Sequence, residues 1–244
     1  MSDAIAGRRW WLIGASEGLG RALAWQMAEE GAEVVVSARG EARLRDLAAR
    51  LPGTATALPM DVTDPASVAA AAQGLGPVDG VVWLAGIYWP MRAQQFDPEK
   101  AAAMAEVNLG GCLRVMGHVV PAMLAQGHGR IVLTGSLAGY RGLPGAVGYA
   151  ASKAGVMSLA DCLRIDLRGS GVQVQLVNPG FIRTRLTAQN SFRMPGLMEP
   201  EQAAQRIVAH IRSSRFRLDF PTGFSRLFTW GRILPDRLWD RIIG

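Results

Sequence analysis

A chain of 244 residues can bury one sizeable core, and 49% hydrophobic against 19% charged residues excludes a disordered polymer. The net charge of +6 is uneven: residues 206–244 carry eight Arg and three Asp, while the first 205 residues carry 18 basic and 17 acidic groups. The excess therefore belongs to the tail, no basic stripe interleaved with aromatics runs through the body, and no nucleic acid is expected as a partner.

No apolar run approaches the roughly 18 residues of a membrane span. The opening residues Met1 to Arg9 lack the apolar core of a secretory signal, so a cytoplasmic address is expected. Cys112 and Cys162 are isolated and read as small buried apolar residues. His118, His128 and His210 lack partners at metal-ligand spacing; surface or capping roles are expected, and no metal site.

In chain order, Trp10-Trp11-Leu12-Ile13 reads as a strand, Gly14-Ala15-Ser16-Glu17-Gly18-Leu19-Gly20 as a turn, and the residues up to Gly31 as an amphipathic helix. Glycines at this spacing let the backbone approach a pyrophosphate, which then rests on the N–H groups at the helix N-terminus, where the dipole favours anions. A second strand, Glu33 to Arg39, completes the distance of a βαβ unit. Its end carries Ser37 and Arg39 with no acid before Glu41, which favours a 2′-phosphate and therefore NADP(H) over NAD(H). Glu17 opposes this, because a carboxylate in the glycine turn would repel that phosphate.

Residues 41–51 read as a helix and Ala57 to Val62 as a strand ending at Asp61, which either accepts from an adenine amino group or caps the helix following Thr63-Asp64-Pro65. Gly80 to Gly86 is a fourth strand with its exit turn, where Ala85-Gly86 lets the chain pass close to a ligand. Residues 98–125 form a long helical region with Gly110 and Gly111 inside it, a place for a kink or for close packing. Gly129 to Ser136 is a fifth strand ending in serine, residues 149–169 a helix, and Val172 to Val177 a sixth strand leading into Asn178-Pro179-Gly180. This alternation predicts an α/β, doubly wound parallel sheet of Rossmann-like type, with Gly14, Arg39, Asp61, Gly86, Ser136 and Pro179 at strand ends facing one crevice.

Tyr149 and Lys153 fall one turn apart on one helix face. A cation beside a phenol favours the phenolate and brings tyrosine into the range of an acid or base. The plainer alternative for the pair alone is a packed ring beside a solvated lysine.

Taken together, Gly14-x-x-x-Gly18-x-Gly20, Asp61, Ala85-Gly86, Asn108, Ser136, Tyr149-x-x-x-Lys153 and Pro179-Gly180 with Thr184 closely resemble the short-chain dehydrogenase/reductase family over about residues 8–185. The resemblance implies that Tyr149 trades a proton with the substrate oxygen and Ser136 hydrogen-bonds that oxygen. Lys153 would hold the nicotinamide ribose and depress the tyrosine pKa, Asn108 would support a water relay, and Thr184 would contact the carboxamide. It also places Ser16, Glu17, Leu19, Ser37, Val62, Pro179, Gly180 and Ile182 among the cofactor contacts. Two departures stand out: Ile13 replaces a threonine before the first glycine, and Leu84 an asparagine before Ala85-Gly86, so hydrogen bonds bracing the cofactor loop are expected to be absent.

A single nucleotide-binding domain is expected over residues 1–244, its core at about 8–221 and a basic, apolar tail at about 222–244. Residues 181–200, with Phe181, Leu186, Phe192, Met194 and Met198 and a possible hinge at Gly196, resemble the family's substrate loop and suggest an apolar ketone, aldehyde or secondary alcohol. Ile87 to Met91 are candidates for the same pocket. The expected assembly, by resemblance, is a homodimer or homotetramer. The tail is expected to pack on the body or a neighbouring subunit; peripheral contact with an anionic membrane is the less favoured alternative. The rival functions are a non-catalytic nucleotide-binding sensor or scaffold, and an isomerase or dehydratase on the same fold.

Overall fold

The computed structural model describes residues 4–243. Seven strands form one parallel sheet: β1 (Arg9–Ile13), β2 (Glu33–Ser37), β3 (Ala55–Ala57), β4 (Gly80–Trp83), β5 (Gly129–Thr134), β6 (Val172–Pro179) and β7 (Arg217–Phe220). Their order is β3-β2-β1-β4-β5-β6-β7, so the winding reverses between β1 and β4. Among the described residues the sheet is accompanied by nine α-helices: α1 (Gly18–Glu29), α2 (Glu41–Arg50), α3 (Pro65–Leu75), α4 (Pro98–Ala105), α5 (Gly111–Gln126), α6 (Val147–Asp166), α7 (Pro200–Ile211), α8 (Thr222–Gly231) and α9 (Asp236–Ile243).

The central strands are buried on both faces, and β1 shows why its sequence is apolar from Trp10 to Ile13. Trp10 and Leu12 enter the core shared with α1, α2 and α7, whereas Trp11 and Ile13 enter the core shared with α3, α5 and α6. Gly80 is demanded by this arrangement, since a Cβ there would lie 2.4 Å from the Trp10 ring.

The third strand is shorter than expected. Only Ala55–Ala57 pairs with β2, and Leu58 to Val62 continue as irregular chain. Asp61 does not cap α3; Asp64 does, accepting from Ala66 N at 2.9 Å with Pro65 in the first helical turn. Asp61 instead folds back on Thr63, accepting from its N–H at 2.9 Å and its hydroxyl at 2.8 Å.

Both expectations for the glycines at 110 and 111 are met. The helical run from Pro98 contains a π-helical turn over Glu106–Gly110, and a Cβ at Gly111 would lie 2.8 Å from Val62 Cβ. The helical run Pro98–Gln126 contains an 18-residue stretch of mean hydropathy 1.2 and is long and apolar enough to cross a bilayer by length and composition, although charged residues interrupt every apolar run in it. Here Cys112, Val115, Val119 and Met123 pack on the sheet. Two further expectations change: Cys162 is exposed on α6, and His210 is buried on α7 at 5% exposure.

Candidate active site

The crevice lies beyond the C-terminal ends of β1 and β4, where the winding reverses. Gly14 has φ +93°, and a Cβ on it would fall 2.5 Å from Ala85 N; a Cβ on Gly20 would fall 2.2 Å from Gly14 O. No side chain fits at either position, so the turn closes on itself and brings α1 in end-on. Glu17 precedes α1 without a side-chain cap, which leaves the first-turn N–H groups at Gly18, Leu19 and Gly20 directed into the crevice. A Cβ at Gly18 would approach Thr184 Cγ2 to 3.0 Å, so the start of the loop after β6 lies against the glycine turn. This cradle fits a dinucleotide pyrophosphate.

Main-chain bonds brace the turn on either side of Ile13 and Leu84. Gly14 N and Ala15 N both donate to Ser37 O, at 2.7 and 3.2 Å, and Leu84 N donates to Ile13 O at 2.8 Å. Ile13 is fully buried, and Leu84 packs against the core shared with α1.

Ser136 stands two residues beyond β5 rather than within it. Its hydroxyl accepts from Ala138 N at 3.2 Å and hydrogen-bonds the Tyr149 phenol. Both the turn-capping role and the functional placement are therefore present at one residue. Lys153 is only 4% exposed; its Nζ donates to Thr134 O at 2.9 Å and lies 5.8 Å from the Tyr149 ring centroid. The lysine is not solvated, which removes the plain reading of the pair.

The expected depression of the tyrosine is not found. Burial pushes the Tyr149 phenol up to about 12; the Ser136 hydrogen bond draws it down and the adjacent Tyr88 pushes it up. Burial likewise lowers Lys153 to about 8 from 10.5. Tyr149 therefore keeps its proton at neutral pH, which suits a donor. Beneath the lysine, burial raises the Cys112 thiol to about 12, so this cysteine is an uncharged packing group.

The Lys153 shift has a testable sign. Its folded pKa lies below the unfolded value, so the cost of burying the ammonium is present in full below about pH 8 and is relieved as pH rises towards 10.5. At 1.36 kcal/mol per unit, wild type is expected to gain about 3 kcal/mol relative to Lys153→Met between about pH 7 and about pH 11. Urea unfolding of both proteins at the two pH values measures this; parallel pH profiles would contradict it.

Asn108 is fully buried, and its side-chain amide is engaged within the protein. Oδ1 accepts from Ile87 N at 2.7 Å, while Nδ2 donates to Ile87 O at 3.0 Å and to Ser152 Oγ at 2.9 Å; that hydroxyl donates to Tyr149 O at 2.8 Å. The asparagine thus ties the chain after Gly86 to the helix that carries Tyr149. A Cβ on Gly86 would lie 3.3 Å from Asn108 Oδ1 and 3.6 Å from Lys153 Nζ.

Three expected cofactor contacts have their side chains elsewhere. Ser37 is fully buried and accepts from Trp11 Nε1 at 2.8 Å, because its register on β2 turns it into the core. Val62 packs on Gly111, and its carbonyl accepts from Arg114. Ile182 is buried in the core shared with α7 and bridges to Met198. Pro179 ends β6, and Gly180 N donates to Phe220 O at 2.7 Å, which anchors the loop. Arg39 is exposed and close enough to Asp61 to draw its carboxyl below the usual range, together with the Thr63 hydrogen bonds and against the largest influence, burial, which raises it.

Several contacts at this crevice join residues far apart in the sequence. Glu17 is paired with Arg43 at 3.4 Å and Arg185 at 2.8 Å, two surface arginines brought together only by the fold. Tyr88 stacks edge-on to Tyr149 at 5.0 Å and donates to Asn190 Oδ1 of the substrate loop at 3.1 Å. Tyr140, following the turn after Ser136, donates to Asp219 at 2.7 Å, and Asn178 donates to the same carboxylate at 2.8 Å.

A family profile described as short chain dehydrogenase matches residues 10–194. An uncharacterised oxidoreductase of Myxococcus xanthus is 34% identical over 236 residues, covering 94% of this chain and 93% of that protein. The 3-oxoacyl-(acyl-carrier-protein) reductase FabG of Escherichia coli is 35% identical over 180 residues, 72% of this chain and 74% of the enzyme. Among solved structures, the 3-ketoacyl-(acyl-carrier-protein) reductase of Brucella melitensis complexed with NADH superposes with a TM-score of 0.83 at 27% identity, covering 91% of this chain and 99% of that one. By sequence and by fold, this chain is an NAD(P)-dependent enzyme that belongs to the short-chain dehydrogenase/reductase family.

Proposed function

We propose that the protein is an NADP(H)-preferring carbonyl reductase acting on an apolar ketone, with Tyr149, Ser136 and Lys153 as its catalytic residues. The observation that carries this reading is the Tyr149 phenol, hydrogen-bonded by Ser136, beside the Lys153 ammonium and held protonated at neutral pH. A bound nicotinamide supplies the hydride. Ser136 then orients the substrate carbonyl by donating to its oxygen, and Tyr149 gives its proton to the alkoxide as it forms. Lys153, fixed by Thr134 O, offers its ammonium to the nicotinamide ribose and to the phenolate left behind. In alcohol oxidation the same groups run in reverse, and the high phenol pKa makes that direction the harder one at neutral pH.

The NADP(H) preference is supported by the arginines around Glu17. A lone carboxylate in the glycine turn would repel a 2′-phosphate, but this one is paired with Arg43 and Arg185 while Arg39 stays exposed beside Asp61. Arg43→Glu is expected to lower the NADPH-to-NADH ratio of kcat/KM by at least about tenfold, a change of about 1.4 kcal/mol. An unchanged ratio would sink the role of that residue.

The apolar substrate is supported by Phe181, Phe192 and Phe224, which meet at 5.7 and 5.9 Å where the substrate loop joins α8, and by the ketoacyl reductases among the relatives. Steady-state reduction of β-ketoacyl thioesters and of polar ketones, both with NADPH, tests it: the thioesters are expected to react with the higher kcat/KM, and the reverse order would overturn the substrate class. Exposed Leu113 and Leu124 on α5 and Ile165 on α6 support a homodimer or homotetramer through those helices.

A further inference from the structure

The last two helices have two apolar faces, and among the described residues only the inner one is covered. On the inner face Phe228 and Trp239, 4% and 3% exposed, pack with Leu137 and Tyr140 beside Ser136. Trp239 Nε1 donates to Gly142 O at 3.1 Å, and Arg141 donates to Leu234 O at 2.8 Å, so the helical pair is a fixed part of the body. On the outer face Trp230 is 67% exposed, Ile233 78%, Leu238 46% and Ile242 50%.

We propose that this outer face of α8 and α9 docks on an anionic lipid bilayer. On α9 the row Leu238–Ile242 lies beside the inward row of buried Trp239 and half-buried Ile243, and Arg237–Arg241 flank it on the opposite side. Such a helix lies in the interfacial plane with its apolar edge among acyl chains and its arginines at the headgroups, the depth at which a tryptophan such as Trp230 also rests. Arg226, Arg237 and Arg241 are exposed and make no ion pair among the described residues, whereas the carboxylate of Asp236 is held by Arg141.

Charge decides between the possible occupants. A second copy related by a two-fold axis would set these arginines against their equivalents, whereas anionic headgroups oppose them with the complementary sign. The docked helices touch the crevice side of the protein through aromatic contacts. Trp239 meets Phe228 at 6.1 Å, Phe228 meets Phe224 at 5.1 Å, and Phe224 meets Phe181 of the substrate loop at 5.9 Å. Docking stands independently of the ketone assignment, and its test uses no substrate.

Flotation of the full chain with vesicles of phosphatidylcholine alone, and of phosphatidylcholine mixed with phosphatidylglycerol, tests the proposal. The protein is expected to float with the mixed vesicles, at least about tenfold less with the neutral ones, and progressively less as salt screens the headgroups. Trp230→Ser with Ile233→Ser, both at exposed positions, is expected to reduce flotation at least about tenfold with NADPH affinity unchanged. Arg226→Gln with Arg237→Gln and Arg241→Gln is expected to abolish the preference for anionic vesicles. Failure of wild type to float, equal flotation with neutral vesicles, or flotation of the Trp230/Ile233 variant like wild type would each overturn it. So would dissociation of an oligomer by that variant in sedimentation velocity, which would make the face a subunit contact.

Discussion

Tyr149→Phe is expected to lower turnover at least about 100-fold, the lower end for loss of a general acid. The substitution removes one oxygen and keeps the ring, so the edge-on contact with Tyr88 at 5.0 Å and the packing of α6 survive. Ser136 loses its phenolic partner but still accepts from Ala138 N, and Lys153 remains fixed on Thr134 O. Cofactor affinity should therefore stay within about threefold, less than about 0.7 kcal/mol, because none of the groups of the glycine cradle has moved. Steady-state kinetics paired with a binding titration separates the two effects. Near-normal turnover in the variant would remove the proton-transfer role assigned to the phenol.

Trp10→Ala is expected to cost about 3–5 kcal/mol of stability, a large share of the roughly 5–15 kcal/mol that holds a typical domain folded. The indole is 1% exposed and lies flat over Gly80, whose missing side chain leaves the room it occupies. Its Nε1 donates to Ala4 O at 3.1 Å, so the truncation also strips a partner from the segment before β1. The neighbouring backbone belongs to the paired strands β1 and β4 and cannot collapse into the space without breaking the sheet at its switch point. Equilibrium unfolding in urea measures the loss, and a shift below about 1 kcal/mol would show that the sheet refills the cavity, contrary to the close packing described.

The sheet and the meeting of Tyr149 with Lys153 were legible because each rests on local pattern. Apolar runs of four to six residues ending in glycine, serine or proline marked the strands, and Tyr149 with Lys153 needed only helical spacing to become neighbours. The third strand was overread because Met60 and Val62 are apolar for another reason: they pack beneath α5, while the chain there keeps only the bonds from Leu58 N to Val36 O and from Met60 N to Ala38 O. Ser37 was misread because a strand-end hydroxyl points to the ligand or to the core depending on register, and the indole that claims it lies 26 residues away. The tyrosine pKa had the wrong direction for a similar reason, since spacing reveals a charge four residues away but not the burial that outweighs it. Glu17 stood out by its place in the glycine turn, but its partners Arg43 and Arg185, and the meeting of Tyr140 with Asn178 and Asp219, bring distant segments together, and nothing local distinguishes those partners from ordinary surface or loop positions. The tail was half legible: its amphipathic pattern was plain, but only the fold shows that one apolar face is consumed against the Ser136 turn while the other stays in solvent.

The central claim is that a nicotinamide dinucleotide binds in the cradle of Gly14, Gly18 and Gly20, with arginines arranged for a 2′-phosphate. Titration of the purified protein with NADPH and with NADH, followed by nicotinamide fluorescence, tests it without knowledge of the substrate. Saturable binding of both is expected, with NADPH tighter by at least about tenfold, or about 1.4 kcal/mol. Binding of neither would contradict the claim and turn attention to a scaffold role, and tighter binding of NADH would show that Glu17 governs the site despite its two arginines.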